Sequence, residues 1–424
     1  MPSNPDQAST IPASLAVPAS VLTPAQLERD LAVADLTDPA DGPHAIQLIA
    51  SQAVSALAAA WAGPDGTGCE VRWCRGPRIV SVADNYDSLG YDRSDLTRAA
   101  RYTRYVDGVR MLRSHTTALV PPALRQAAAD HPADTLIACP GVTYRRDAID
   151  RLHTGTPHQL DLWRVSRRRL DAADLDIMVA ALLTALVPGR ASRSVPRRHP
   201  YTSAGRQVDV RNGRDWVEVA ECGLAHPSVL ARAGLAGYSG LALGLGLDRL
   251  LMLVKGIPDI RLLRSTDPRV TCQLQDLSPY RPVSTQPAVR RDLSVAVAGT
   301  QDDETIGDRV REALGPDADA VEDVRLLSSA EAGDLPSAAI ARLGLRPGQR
   351  NLLIRVVLRP LDRTLTDQQA NVLRDRIYLA IHEGTRRELA APAPLAGGRS
   401  ERRREPRRAS HGRGRPAAPP RSAS

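Results

Sequence analysis

The feature that most constrains this chain is a glycine-rich stretch, GLALGLGLDR, over residues 240–249. Its three glycines each stand an even number of residues from the next, and a residue without a Cβ lets a flat ligand lie against the backbone. The apolar run 250–254 then predicts a helix that begins under such a ligand, with Arg249 in a first turn that favours an anion. The alternative is a buried Gly/Leu-rich strand that turns into a helix. The spacing matches neither the dinucleotide-binding nor the P-loop fingerprint.

Length and composition indicate two or three globular domains. The chain has 424 residues, of which 42% are hydrophobic and 25% charged, and a chain of this kind can bury substantial cores. No apolar run reaches membrane-spanning length. The five cysteines are scattered and lack zinc spacing, so we expect reduced thiols in the cytoplasm. Phenylalanine is absent, and Lys255 is the only lysine.

Both ends of the chain differ in composition from its middle. Residues 1–34 are rich in Pro, Ala and Ser, and we expect a disordered leader without the marks of a secretory signal or transit peptide. From Ala391 onward, nine Arg and two Glu carry +7 of the net charge of +8. Residues 391–424 are therefore predicted to be a basic disordered tail. Such a tail is either a solvated end or an added attraction for RNA.

The glycine-rich stretch also resembles a signature of a known enzyme family. Residues 238–250, with 256–264 and 267–269 after them, are similar to the third motif of class II aminoacyl-tRNA synthetases. In detail they resemble phenylalanyl-tRNA synthetases, especially the single-chain organellar type. The resemblance implies that Arg249 binds the nucleotide. It also implies that Ala242 is the small residue that leaves room beyond the ring of an aromatic amino acid.

A second stretch, residues 144–161, resembles the second class II motif, in which two antiparallel strands are joined by a loop that covers ATP. Attack of a carboxylate on the α-phosphate builds negative charge, which a fixed guanidinium can bind through two oxygens. Arg145 matches the arginine with that role. The resemblance further implies that Asp147 lies near the adenine and that His153 contacts the ATP phosphates. A charged surface hairpin is the alternative.

The polar end of the amino acid is assigned to four residues by the same resemblance. Residues 110–117 are similar to the Leu-Leu-Arg-Thr-His-Thr-Ser element of the family, which makes His115 and Thr117 candidates. Threonine keeps the hydroxyl that serine supplies in relatives. Gln159 and Asp161 match a Gln-x-Glu pair that receives the ammonium group. On composition alone, residues 110–117 would be a polar loop.

The predicted aromatic pocket departs from the family pattern. Relatives carry Phe-Pro-Phe where this chain has His199, Pro and Tyr201, and Glu221 replaces a glycine. Aromatic contacts favour an aryl substrate by about 0.5–1.5 kcal/mol each. A buried imidazole or phenol instead needs a partner, or favours a substrate that carries a polar group. Glu218, nearby in the chain, matches an acidic residue that helps to hold Mg²⁺.

The last part of the chain resembles a second domain of these enzymes. Residues 287–297 are similar to the opening of the ferredoxin-like anticodon-binding domain. The predicted order continues with a helix (305–314), two strands (323–327 and 351–358) and a helix (366–383), close to the split βαβ pattern. A generic α+β module is the alternative.

The expected fold class is therefore α+β. A class II synthetase antiparallel sheet flanked by helices is expected at 35–278, and a C-terminal ferredoxin-like anticodon-binding domain at 283–390. The resemblance implies ATP-dependent activation of phenylalanine or a related aromatic amino acid and its transfer to the 3′ end of tRNA. It implies ATP and Mg²⁺ as cofactors and a monomer or homodimer in the cytoplasm, not at a membrane. The alternatives are a paralogue that activates a different or modified aryl amino acid, and a non-catalytic tRNA-binding relative.

Overall fold

The computed structural model of the protein describes residues 21–62, 68–283 and 286–387. The first two ranges contain a large sheet and the helices that pack on it, and the third contains a smaller sheet with its own helices. The strands of the first part are β1 (Glu70–Trp73), β2 (Ile79–Ser81), β3 (Arg110–Leu112), β4 (Asp134–Val142), β5 (His158–Ser166), β6 (Ser192–Pro196), β7 (Thr202–Asn212), β8 (Asp215–Ala225) and β9 (Ser239–Gly246). Its helices are α1 (Pro24–Leu31), α2 (Ala45–Ala60), α3 (Val82–Asn85), α4 (Val120–Asp130), α5 (Ala172–Leu186), α6 (Pro227–Arg232), α7 (Leu247–Lys255) and α8 (Pro268–Thr271).

The large sheet has seven strands in the order β1-β4-β5-β9-β8-β7-β6. Strands β1 and β4 are parallel, and all the other neighbouring pairs are antiparallel. Strands β4 and β5 form a hairpin whose loop spans residues 143–157, and β9 runs directly into α7. The predicted mostly antiparallel sheet with flanking helices is thus confirmed. Strands β2 and β3 pair separately.

The two faces of the large sheet belong to different cores. On β5, Leu160 and Leu162 pack into a core with helices α2, α5 and α7, whereas Trp163 packs into a core with α4 and α6. Side chains alternate across a strand, so Asp161 shares the face of Trp163. That second face carries the site predicted from the sequence.

Helix α2 covers the first core because its apolar residues recur at helical spacing. Ile46, Ile49, Ala53 and Leu57 are all fully buried, and this period of three to four residues predicts a helix at this position. The helix begins after His44, whose Nδ1 accepts a hydrogen bond from the Ile46 amide at 3.2 Å. That bond satisfies one of the free amides of the first turn.

The prediction of a disordered leader is wrong for its last part. Helix α1 begins at a capping box formed by Thr23 and Gln26, in which each residue satisfies an amide of the other. Leu27 and Leu31 of this helix pack against the buried Tyr144. Apolar burial therefore anchors a segment whose Pro/Ala/Ser composition had indicated disorder. Residues 1–20, and the basic tail predicted at 391–424, lie outside the described residues.

The smaller sheet has three antiparallel strands in the order β10-β12-β11. Helices α9 and α11 pack against each other and on this sheet, and α11 begins with the predicted capping box of Thr366 and Gln369. The predicted strand-helix-strand-strand-helix order is present, with one additional helix, α10. Its elements are β10 (Val289–Ala298), α9 (Asp303–Leu314), β11 (Val321–Glu331), α10 (Ser337–Leu343), β12 (Gln349–Leu358) and α11 (Asp367–Ile381).

The predicted domain boundary at 278–283 falls between α8 and β10. Whether 35–278 and 283–390 are separate folding units stays a prediction, because many contacts join them, among them the bond from the Val324 amide to the Ile149 carbonyl at 2.9 Å. Within the described ranges, no helix combines the length and the apolar character needed to cross a membrane.

Candidate active site

The glycine-rich strand β9 forms the floor of the candidate site. In the strand register, Gly244 lies between Asp161 of β5 and Glu221 of β8. Among the described residues, a Cβ on Gly244 would come within 4 Å only of the Asp161 carboxylate oxygens, each at 3.9 Å. A Cβ on Gly246 would similarly meet only the Val219 carbonyl oxygen, at 3.9 Å. The space above both glycines is therefore open, with a carboxylate on either side of Gly244.

Gly240, the first of the three glycines in this strand, is closely packed and does not line the open space. A Cβ on Gly240 would lie 2.8 Å from the Arg164 carbonyl oxygen and 3.0 Å from the Ala225 Cβ, so no larger residue fits there without a shift of the backbone. Ala242, the predicted small residue, is buried and pairs in register with Trp163. The floor that a ligand can approach thus consists of the last two glycines.

Asp161 and Gln159 project from the same face of β5 and are both engaged by Thr116. The Thr116 hydroxyl donates to Asp161 Oδ2 at 2.6 Å, and its amide donates to Gln159 Oε1 at 3.2 Å. Burial raises the pKa of Asp161 to about 6, although the hydroxyls of Thr116 and Thr117 act in the opposite direction. A buried carboxylate without a cationic partner is costly, so this position favours a cationic ligand group.

His115 is a buried imidazole with an unused nitrogen. Its Nδ1 has no hydrogen-bond partner among the described residues, and its Nε2 lies 3.5 Å from the Asn85 amide nitrogen. Its ring stacks on Tyr91, with 5.9 Å between the ring centroids. Burial, and then the charge of Arg145, lower the pKa of His115 to about 3. The ring is therefore neutral at pH 7 and offers one nitrogen to a ligand.

Arg145 and Arg249 reach the site from different elements. The Arg145 Nε donates to the Ser114 carbonyl at 2.8 Å, which fixes the direction of its guanidinium. Arg249 is the third residue of α7, and it has no hydrogen bond or ion pair with any described residue. Burial and the charge of Glu221 raise the pKa of Glu218, whereas Arg249 and Arg145 both lower it. Both guanidinium groups therefore act electrostatically on the same carboxylate.

Glu218 and Glu221 share a face although they are three residues apart. Ala220 pairs with Val208 and Glu218 pairs with Asp209, which leaves Val219 as an extra residue in β8. Such a β-bulge reverses the alternation of side chains. No group of three or more His, Cys, Asp and Glu among the described residues could hold a metal ion. Mg²⁺, however, commonly takes one or two carboxylates and completes its shell with phosphate oxygens, and Glu218 fits that role.

The loop between β4 and β5 holds the other predicted nucleotide contacts. Its two arms are joined by a bond from the Arg145 amide to the Gly155 carbonyl at 2.9 Å. His153 Nδ1 lies 2.7 Å from Asp150 Oδ2, and this hydrogen bond raises the pKa of His153. The Asp147 carboxylate accepts a hydrogen bond from the amide of the next residue at 2.9 Å.

Two of the three departures from the family pattern in the aromatic pocket, His199 and Glu221, lie against each other. His199 Nε2 lies 3.1 Å from Glu221 Oε2, and Arg197 Nε lies 3.3 Å from Glu221 Oε1. The His199 ring also stacks on Tyr201 at a centroid distance of 5.5 Å, and Tyr201 lies 6.1 Å from Trp163. Burial raises the pKa of Glu221, but His199 and Arg197 outweigh it and leave the pKa below its usual value. One wall of the site is therefore the Glu221 carboxylate, in contact with Arg197 and His199, beside stacked aromatic rings.

Comparison with known proteins identifies the family to which this part of the chain is similar. Residues 68–274 match the family described as tRNA synthetases class II core domain (F). This part of the chain is a class II aminoacyl-tRNA synthetase core domain. The match contains the floor, the hairpin loop and the arginines described above.

Several relatives of this core domain carry specific names. The chain is 28% identical over 313 residues, 70% of this chain and 68% of the relative, to the chloroplastic/mitochondrial phenylalanine–tRNA ligase of Arabidopsis thaliana. It is 33% identical over 205 residues, 48% of this chain, to the phenylalanine–tRNA ligase alpha subunit of Prochlorococcus marinus (strain MIT 9313). It is 34% identical over 199 residues, 46% of this chain, to the alpha subunit of Psychrobacter arcticus. The matches span 60% and 55% of those two alpha subunits.

The class II core also contains site residues that sequence reasoning missed. The Thr116 hydroxyl donates to Asp161, whereas the resemblance had pointed to Thr117, the last hydroxyl residue of the element. His158 Nδ1 lies 2.9 Å from the Asp248 carboxylate, which also accepts from the His158 amide at 2.5 Å. This buried pair ties the start of β5 to the first turn of α7, and so fixes the hairpin relative to Arg249.

Proposed function

We propose that the protein activates phenylalanine or a related aromatic amino acid with ATP and transfers it to the 3′ end of tRNA. The observation that carries the proposal is the open glycine floor beside Asp161, with Arg145 and Arg249 both close enough to Glu218 to lower its pKa. A cation subsite next to two unneutralised guanidinium groups suits a substrate that brings an ammonium group and a nucleotide with phosphates. The phenylalanine–tRNA ligases among the relatives support the choice of amino acid.

In the first step, a carboxylate oxygen of the amino acid attacks the α-phosphorus of ATP, and pyrophosphate leaves. Asp161 and Gln159 would hold the ammonium group, while neutral His115 and Thr117 would hold the polar end near the reacting carboxylate. Positioning of this kind can lower a barrier by about 7–11 kcal/mol.

The two arginines would stabilise the negative charge that develops on the α-phosphate. Arg145 and Arg249 would bind phosphate oxygens from opposite sides, and loss of one such fixed donor typically costs about 3–4 kcal/mol of barrier. Mg²⁺, when bound, neutralises part of the phosphate charge, and Glu218 would hold it. His153 would contact the outer phosphates, and Asp147 would lie near the adenine.

In the second step, a terminal hydroxyl of tRNA attacks the aminoacyl carbonyl carbon, and AMP leaves. We assign tRNA recognition to residues 283–390 as a ferredoxin-like anticodon-binding domain. The strand order β10-β12-β11 with two helices supports this assignment, since it is the order of three strands in a split βαβ sheet. The proposal places a monomer or homodimer in the cytoplasm, which suits five unpaired cysteines.

A second candidate function is favoured by the contact of His199 with Glu221. A paralogue that activates a ring-substituted aryl amino acid would use this polar wall to bind the substituent. A non-catalytic tRNA-binding relative is less favoured, because such a protein has no physical need for the guanidinium groups of Arg145 and Arg249.

The test is ATP–pyrophosphate exchange with phenylalanine, tyrosine and a panel of ring-substituted aryl amino acids, with Arg145→Ala as the blank. The proposal expects exchange with phenylalanine or a close aromatic relative. Exchange restricted to amino acids with a polar ring would instead support the paralogue. Absence of exchange with every amino acid, together with measurable tRNA binding, would overturn the enzymatic proposal.

A further inference from the structure

The hairpin loop of the class II core is held by a helix from the smaller sheet. Arg311 of α9 donates to two successive carbonyls of the loop, those of Asp147 and Ala148, the second at 2.6 Å. A Cβ on Gly155, in the returning arm of the loop, would lie 3.5 Å from Arg311 Nε. The guanidinium therefore bonds to the outgoing arm of the 143–157 loop and lies close to its returning arm.

Close approach of the helix backbone completes this contact. A Cβ on Gly307, one turn before Arg311, would lie 2.7 Å from the Asp147 carbonyl oxygen and 3.4 Å from Ala148. Real Cβ atoms do not come so near a backbone oxygen, so α9 can lie against the loop only with glycine at this position. Gly307 and Arg311 are four residues apart and share one helix face.

Two further contacts join the same surfaces. Asp308 accepts from Arg104 at 2.9 Å, and its second oxygen lies 3.4 Å from Arg146 Nε in the loop. Beside these contacts lies a cavity of about 340 Å³ lined by loop residues and by Arg311. On that side the loop lacks close packing, so the polar contacts from α9 hold its first part, while amides of Val324 and Ile260 bond to the carbonyls of Ile149 and Arg151 further along it.

We propose that Arg311 and Gly307 are positioning residues for the ATP-binding loop, so that adenylate formation depends on the smaller domain. The inference rests on the proposed function, because it takes Arg145 and Asp147 as nucleotide contacts. The physical reason is that a loop displaced by about 1 Å can reduce catalysis about a hundredfold. Arg311 touches no substrate in this scheme and acts through the backbone of the loop.

The test compares Arg311→Ala, Gly307→Ala and a matched control, Arg309→Ala, in the full-length chain. Arg309 lies on the same helix but bonds within its own domain, to Glu383 at 2.9 Å and to the Ala380 carbonyl at 2.8 Å. ATP–pyrophosphate exchange with the amino acid that the wild type accepts would give KM for ATP and for the amino acid separately. We expect the first two variants to raise KM for ATP by about tenfold, with KM for the amino acid unchanged. The control should match the wild type in both.

A second measurement does not depend on activity. Amide hydrogen exchange over residues 145–155 should be faster in Arg311→Ala and Gly307→Ala than in the wild type or the control, with unchanged protection in the strands of the large sheet. KM for ATP within twofold of the wild type in both variants, or unchanged loop protection, would overturn the inference. If the wild type exchanged with no amino acid but the variants still lost loop protection, the proposed function would be refuted. The role of Arg311 and Gly307 in positioning the loop would then stand.

Discussion

Replacement of Asp161 by asparagine should stabilise the protein and impair it as an enzyme. Burial raises the pKa of this carboxyl from 3.8 to about 6, and a shift of about two pH units corresponds to about 3 kcal/mol. Because the folded state disfavours the ionised form, the penalty is absent below pH 3.8, grows as the pH rises and is complete above about 6. The gain from Asp161→Asn should therefore be near 3 kcal/mol at pH 8 and nearly absent at pH 4.

Urea unfolding of both proteins at these two pH values measures the gain. In parallel, the KM of the wild type for the amino acid should fall as the pH rises through about 6, since only the ionised carboxylate pairs with the ammonium group. Asp161→Asn should lose about 1.5–3 kcal/mol of that interaction, roughly ten- to a hundredfold in kcat/KM, and lose the pH dependence. Equal gains in stability at both pH values, or a variant with the KM of the wild type, would refute this account of the ammonium subsite.

Further substitutions separate the contributions of the floor, the arginines and the contact of His199 with Glu221. Arg145→Ala should lower the exchange rate by about 10²–10³-fold with little change in melting temperature, and a loss below tenfold would place its guanidinium away from the phosphate. Gly240→Ala should destabilise the fold by about 1–3 kcal/mol through overpacking, measured by urea unfolding. Gly244→Ala should fold normally but raise KM, because its side chain would occupy substrate space. If Gly244→Ala proved the less stable variant and Gly240→Ala the one with the higher KM, their assigned roles would be reversed. His199→Phe alone should cost more stability than the double variant with Glu221→Gly, since it removes one partner of a half-buried carboxylate. Additive free energies in that double-mutant cycle would show that the two side chains do not interact.

The sequence predicted the parts of this site that depend on local order along one strand. Even spacing placed Gly244 and Gly246 on one face of β9, and the apolar run after them placed Arg249 in the first turn of α7. The alternation of β5 likewise aligned Gln159 with Asp161. In each case a period of two or 3.6 residues fixes the direction of a side chain without any knowledge of its neighbours.

Contacts between distant segments could not be predicted in the same way. The pairing of His199 with Glu221 depends on two strands that meet only in the fold, so each residue looked like a separate departure from the family. The bulge at Val219 adds one residue to β8, and without it Glu218 and Glu221 would be expected on opposite faces. Arg311 joins the loop across 164 residues of sequence, and no local pattern indicates such a contact.

Three polar groups of the site have one property in common, which is that a bound substrate would complete them. Among the described residues, Asp161 is a buried carboxylate without a cation, the buried His115 Nδ1 has no partner, and the half-buried Arg249 has no anionic partner. The first two arrangements cost stability in the free protein. An aminoacyl-adenylate would bring an ammonium group to the first, a polar acceptor or donor to the second and a phosphate to the third. The same ligand therefore satisfies all three groups, and this is why we assign these residues to a binding site and not to the structural core.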